Sequence, residues 1–384
     1  MNTSVKLHAS FEEIAATDWD RCLPGQAENW AYYRACEACE APSPHPRAVS
    51  LSCDGRIVAV APLFALHYRL DSSLNGWPRR LTNALERASG GMLSLHLLGI
   101  GSPYAERCHL GFDTGLSQDD RITALTAILH AIQAYARDAK VSVTIIKDLD
   151  ETQASSLHAG LAAVGYARMT SLPLAVLTLP ETEAAYLTSL GKSRRREIRR
   201  KLNKCAEITV ETVHDISAIA ADISQLYEST REHSQSDYGD FEVLPAGFFR
   251  EISQLGPERI AFKLYRNAGS LIAFNLLLLQ PDRVIDKFIG INYALARPRD
   301  LYLLSWMENV RHALQHGIRC LQTGQTAYRR KLELGSHLQP CVVYFRHRSA
   351  ALHLLLSLFS RWLALDRNDP DLRNIARTIQ PLAP

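Results

Sequence analysis

The chain has 384 residues, 47% of them hydrophobic and 22% charged, with 43 basic and 40 acidic residues for a net charge of +3. That length exceeds one ordinary core, so two domains are the default, and the composition is globular rather than disordered. Charge so nearly balanced excludes a protein that coats DNA with a wholly basic face, and no DNA partner is expected.

In chain order, the opening stretch MNTSVKLHASFEEIAATDWD lacks a basic start followed by an apolar core, so it does not read as a signal peptide. Nowhere does a window approach 18 uninterrupted apolar residues, which argues against a spanning helix. Eight scattered cysteines in a long chain indicate reduced thiols and a cytoplasmic setting. Cys36 and Cys39 form a Cys-x-x-Cys with no second pair, in a helix-like stretch, so packing is preferred over metal binding. Next comes RAVSLSCDGRIVAVAPLFAL, two apolar β-favouring arms around Asp54-Gly55, which reads as a hairpin. The following loop, GIGSPYAERCHLGFD, carries Tyr104, Glu106 and His109, with Tyr104 a candidate for lining a substrate. Helical RITALTAILHAIQAYARDAK then runs into strand-like VSVTIIKDL.

After a join near SLPLAVLTLPETEAAYLTSLG comes the densest charge of the chain: eight Lys or Arg and one acid, Glu197, between Lys192 and Lys204. On a helix, Arg195, Arg199 and Leu202 share one stripe, and Arg196, Arg200 and Lys204 another. Such a helix suits donor phosphates, or tRNA, or anionic lipid, or plain solvent. The polar stretch HSQSDYGDF places Asp237 and Tyr238 in a loop suited to closing over a substrate. A second hairpin, RIAFKLYRNAGSLIAFNLLLL, turns at Asn267-Ala268-Gly269. Gly269 lies 214 positions after Gly55, and Leu271-Ile272-Ala273 echoes Ile57-Val58-Ala59 at the same offset. Helix and strand then recur as LYLLSWMENVRHALQHG and IRCLQTG. Both halves therefore read strand, helices, hairpin, strand, helix, strand, a tandem duplication of mixed α/β class divided into residues 1–172 and 173–384.

Common catalytic signatures, G-x-x-x-x-G-K-[ST], G-x-S-x-G and H-E-x-x-H, are absent. His312 and His316 share a helix face but have no third ligand nearby, so no metal is expected. The strand Val284–Ile291 ends in a polar loop in which Asn292 and Tyr293 are candidates for contacting the substrate, and Arg297 and Arg299 stand just before a helix, where free N–H groups and arginines suit a pyrophosphate. The next strand ends in QTGQTAYRRK, which gathers Gln322, Thr323, Gln325 and Tyr328. The closing AALHLLLSLFSRWLAL, 16 residues, is too short to span and reads first as a core-packing helix, second as an interfacial one with peripheral membrane contact.

The segments DKFIGINYALARPRDLYLL and GIRCLQTGQTAYRRKLELGSHLQPCVVYFRHR resemble the second domain of GNAT-superfamily acyltransferases of the tandem, Fem-like type related to peptidoglycan aminoacyltransferases. LGKSRRREIRRKL is similar to the basic helix that opens that domain. The resemblance covers residues 175–350, and the first half by architecture alone. It implies an α/β (α+β) fold of two tandem GNAT-like domains, the first degenerate, and acyl transfer to an amine in envelope, lipid or secondary-metabolite biosynthesis. The donor arm would lie along the splayed strand at Ile289 and Ile291, and its phosphates near residues 297–301 with help from Arg195 and Arg199. Tyr328 would protonate the leaving group. YALARPRDLY has no glycine where the family carries Q/R-x-x-G-x-G/A, which weakens a CoA cradle and strengthens a carrier-protein thioester or aminoacyl-tRNA. No tightly bound cofactor is expected beyond such a co-substrate.

The acceptor amine must lose a proton, and Asp286, in the middle of an apolar strand, is the candidate base. Its neighbour Lys287 is a candidate for lining the substrate cleft, although adjacent strand residues point to opposite faces, so the two cannot both face one cleft. A catalytically silent binding protein is the rival from another class.

Overall fold

The computed structural model describes residues 2–69, 94–233, 243–296, 299–369 and 371–373. Seven strands come from the first 172 residues: β1 Thr3–His8, β2 Ala48–Cys53, β3 Arg56–Arg69, β4 Ser94–Ile100, β5 Gly111–Phe112, β6 Val143–Asp150 and β7 Ala167–Thr170. Eight follow: β8 Leu174–Thr178, β9 Ile208–Val213, β10 Ile260–Asn267, β11 Ser270–Leu279, β12 Val284–Ile291, β13 Cys320–Gly324, β14 His337–Gln339 and β15 Cys341–His347. Among the described residues they form two sheets, β1-β2-β3-β4-β6-β15-β7 with β5 on β3, and β9-β10-β11-β12-β13-β8-β14.

Position by position the two orders correspond. Each sheet is antiparallel across its first three pairs, has one parallel pair (β4 with β6, β12 with β13), and turns antiparallel again. Both expected hairpins are present with matching left-handed turns, φ 49° and 82° at Asp54-Gly55 and 47° and 83° at Ala268-Gly269. The repeat extends to a packing detail. Phe64 faces Gly99 across β3 and β4, and Phe274 faces Gly290 across β11 and β12. A Cβ on either glycine would overlap the phenylalanine ring, so each pair needs its glycine.

The division at 172/173 marks where the second sheet starts, but residues 341–384 do not all belong with it. β15 lies between β6 and β7, and the helix Ala350–Leu363 packs on β7 and β15. The second sheet is thus built from residues 174–339 and the first from residues 3–170 plus β15. Val342 and Tyr344 are buried in the first half's core beside Leu98, Ile146 and Leu157, which is why this short apolar strand returns there.

A second core is shared. Phe11, Trp19, Tyr32 and Tyr33 of the first half pack with Ile223, Phe248, Phe262 and Phe274 of the second. A third lies between the second sheet and the helix Leu301–Gln315, around Trp306, Met307 and Leu277. The basic segment is helical over Gly191–Asn203 as expected, and Ile198 is its one buried residue. Lys, Arg, Glu and Leu are good helix formers, so the segment needs little core to hold its shape.

Candidate active site between the two halves

β12 and β13 pair at only two positions, Val284 with Leu321 and Ile285 with Gln322, and then diverge. The cause lies in β13. Its pairing with β8 shifts register between Gln322 and Gly324, and Gly324, Thr326 and Ala327 all have positive φ, at 77°, 67° and 48°. Into this splay comes a carboxylate from the other half: Gln322 Nε2 donates to Glu106 Oε2 over 2.8 Å. A Cβ on Gly324 would overlap Glu106 Oε1, so the glycine admits the acid. In the first sheet the equivalent strands β4 and β6 stay paired at four positions, from Leu97 with Val143 to Ile100 with Ile146. The loop after β4 is thereby free to serve the second half.

Asp286 faces the same region and is partly exposed. It accepts from Asn275 Nδ2 at 2.9 Å, and Asn275 Oδ1 in turn accepts from the buried Tyr265 hydroxyl at 3.1 Å. Burial pushes the Asp286 carboxyl up to about 7, with Glu106 adding to the rise and Lys331 and Asn275 opposing it. Burial likewise brings the Lys331 ammonium down to about 8, against the pull of Glu106 and Asp286. Lys331 Nζ donates to the Gln325 carbonyl at 2.9 Å. An acid and a base that both titrate near neutrality, from elements far apart in sequence, are what proton transfer in a cleft requires.

Lys287 takes the opposite face, as strand geometry demands. It is buried and pairs with buried Glu28 at 2.5 Å across the two halves. Burial disfavours charge on both, but their mutual attraction outweighs it and holds the carboxyl below and the ammonium above their ordinary values. His109 Nε2 lies 3.4 Å from Glu28 Oε2, and its Nδ1 meets the Tyr33 hydroxyl at 2.5 Å. Lys287 is therefore engaged by the protein itself and joins the halves; it does not line the cleft as expected from sequence.

Beyond the C-terminal end of β12 is a cavity of about 390 Å³, walled by Arg200, Lys201 and Lys204 of the basic helix, by Ile291, Tyr293 and Ala296, and by Arg299 to Tyr302. Lys201 pairs with Asp300 at 3.0 Å and with Glu197 at 2.9 Å, and Arg299 with exposed Glu207 at 2.9 Å. Among the described residues no acid pairs with Arg200 or Lys204. β12 runs from the splay to this cavity: Asp286 lies near its start and Ile291, at its end, lines the cavity.

Other expected residues take local roles. Asn292 Oδ1 accepts from the N–H groups of Ala294 and Leu295 at 3.1 Å each, capping the turn Tyr293–Ala296. Tyr293 stacks on His233 at 4.2 Å and lines the cavity. Ile289 is half-buried against the same small core as Ile291. Arg195 donates to Thr188 Oγ1 at 3.2 Å, and Arg199 is exposed; neither lines the cavity. Gln325 Nε2 donates to the Leu172 carbonyl at 2.9 Å. The Tyr104 hydroxyl donates to Glu40 at 2.6 Å beside a small first-half pocket. Tyr328, expected to protonate the leaving group, is fully buried and its hydroxyl donates to the Pro173 carbonyl at 2.8 Å. Arg297, Asp237 and Tyr238 lie outside the described residues. Lys331, Asn275 and Glu28 were not singled out from sequence. Lys331 was findable, three residues after Tyr328 on the strand-end segment, but Glu28 had no local signal.

The profile of the acetyltransferase (GNAT) domain matches residues 192–332, from the basic helix through β13 to just past Lys331. FemX superposes with a TM-score of 0.57 at 12% identity, covering 93% of this chain and 100% of that one. The C-terminal domain of a protein described as a lysylphosphatidylglycerol synthetase from Agrobacterium fabrum gives 0.54 at 13% identity, covering 90% and 96%. The fold is that of the GNAT superfamily. L-PGS from Bacillus licheniformis gives 0.50 at 11% identity, covering 80% and 87%. No curated protein matches the chain. In this GNAT frame the matched domain holds Asp286, Lys331 and the basic cavity, and the half outside the match supplies Glu106 and Glu28.

Proposed function

We propose that the protein is an N-acyltransferase that moves an acyl or aminoacyl group from a phosphate-bearing donor, a thioester of CoA or of a carrier protein, to an amine. The observation that carries this reading is a basic cavity at the C-terminal end of β12 and, along the same strand, an acid–base cluster at the strand splay. From Ile291 to Asp286 is five residues, so a donor arm would run about 16 Å along β12. Cations hold the donor phosphates. The amine nitrogen attacks the donor carbonyl, a C–N bond forms, and Asp286 takes the amine proton. The bond to the leaving sulfur or oxygen then breaks, and Lys331 supplies the proton that group needs.

A second donor, aminoacyl-tRNA, is favoured by one specific feature. Several backbone N–H groups beside the cavity are taken by side chains: Asn292 caps those of Ala294 and Leu295, and Asp300 that of Leu303 at 3.0 Å. That shifts phosphate binding toward side chains, and Arg196, Arg200 and Lys204 offer a row of them. Mass spectrometry of the protein as isolated, together with transfer assays using acyl-CoA, acyl-carrier protein and aminoacyl-tRNA, decides between the donors. Transfer from one donor with a KM raised at least tenfold by Arg200→Gln with Lys204→Gln supports the reading. Failure of every donor, or a KM indifferent to the pair, overturns it.

A further inference from the structure

The helix Ala350–Leu363 is inverted. Its half-buried side, against β7 and β15, carries His353, Leu356, Ser357 and Ser360. The two serine hydroxyls are turned back onto the helix, Ser357 Oγ to the His353 carbonyl at 2.6 Å and Ser360 Oγ to the Ser357 carbonyl at 2.8 Å. Its outward side carries Leu352, Leu354, Leu355, Leu358 and Phe359, with exposures of 48–69%. At 100° per residue these five fall on one continuous arc. The core-packing helix expected from sequence is therefore overturned: the apolar face points away from the core. Scattered exposed leucines need no explanation, but a contiguous apolar face with the polar residues turned inward marks a contact surface.

Charge identifies what covers it. Residues 346–367 contain Arg346, Arg348, Arg361 and Arg367 and one acid, Asp366. Arg348 and Arg367, exposed, stand at opposite ends of the helix. A second copy of this chain would bring the same cations face to face with almost no acid to pair them, which disfavours self-association through this helix. An anionic lipid surface accepts both features, leucines into the acyl boundary and arginines at the headgroups. The helix is too short to cross: among the described residues no helix is long and apolar enough to span a membrane. We propose that the outward face of the helix 350–363 seats the protein on anionic lipid. This goes beyond the transferase reading and does not depend on it.

The test is sedimentation of the full chain with vesicles of phosphatidylcholine, alone or mixed with phosphatidylglycerol. Binding is expected to the mixed vesicles and to weaken with salt. Leu354→Gln with Leu358→Gln should lower partitioning at least about tenfold while the circular dichroism melt stays unchanged, because both side chains are exposed. Arg348→Gln should lower it about fivefold. Equal sedimentation of wild type and the leucine variant overturns the proposal, as does wild type that ignores both vesicle types. A concentration-dependent dimer in light scattering, abolished by the leucine variant and accompanied by no vesicle binding, assigns the face to a second copy and also overturns it.

Discussion

A carboxyl titrates near neutrality when its loss of water outweighs the charges that compensate it, and at Asp286 burial, with Glu106 nearby, outweighs Lys331 and Asn275. Its ordinary value is 3.8, and its folded value of about 7 means that the folded chain keeps a proton the unfolded chain loses. Stability therefore falls as pH rises from about 4 to 7 on account of this group, and the loss stays in place above that window. Asp286→Asn should raise stability by about 1–2 kcal/mol at pH 8, with the gain vanishing below pH 4, while lowering kcat about 10²-fold or more. Thermal melts across pH and steady-state kinetics read the two effects; a destabilised variant at pH 8 or unchanged kcat removes Asp286 from this role. Because Lys331 sits at about 8, kcat/KM should follow a narrow bell whose limbs belong to the coupled pair. Tyr328 gives the opposite expectation. With its hydroxyl on the Pro173 carbonyl, Tyr328→Phe should cost about 1 kcal/mol of stability and change kcat less than about threefold. A hundredfold fall in kcat would restore Tyr328 as the general acid. From sequence, Asp286 stood out because a charge in an apolar strand demands a reason. Tyr328 stood out by its place in a motif, and motif position carries no information about which carbonyl a hydroxyl will find.

At the scale of elements, the basic helix is the most sharply divided piece of the chain. Arg194 and Lys201 are tied to Glu197, at 2.6 and 2.9 Å, so part of their charge is already met within the helix, although Lys201 also lines the cavity. Arg196, Arg200 and Lys204 follow one another at four-residue steps, about 12 Å in all, and the last two enter the cavity. Replacing these three by Gln removes charge but keeps a good helix former. Should the donor be tRNA, the slope of log K against log salt should become shallower by up to about 0.7–0.9 per lost phosphate contact. For a CoA or carrier thioester, KM should rise while no tRNA binds. A folded variant with neither change would leave these cations to solvent. Sequence made the helix, its charge and the hairpins legible, since each rests on local pattern. It could not show the strand splay, because that depends on a register shift between β13 and β8 and on positive φ at Thr326 and Ala327, two residue types not usually read as left-handed.

At the scale of the molecule, the tandem repeat was visible in the two hairpins, but the return of β15 to the first sheet was not. An apolar strand of seven residues carries no mark of which sheet it completes. That return, together with the shared core and the buried Glu28–Lys287 pair, ties the two halves to each other beyond the cores that each has of its own. The chain should therefore unfold in one calorimetric transition, with equal calorimetric and van't Hoff enthalpies, instead of two. Glu28→Gln provides the sharper form of this prediction. It leaves Lys287, with its side chain 2% exposed, facing a neutral amide at the junction, and removing one partner of a buried pair typically costs about 3–5 kcal/mol. If the halves are one cooperative unit, the whole transition should move to lower temperature and remain single. If Glu28→Gln splits the melt, or shifts only part of the heat absorbed while the rest stays at the wild-type temperature, the two GNAT-like halves are independent domains and the shared core does not couple them.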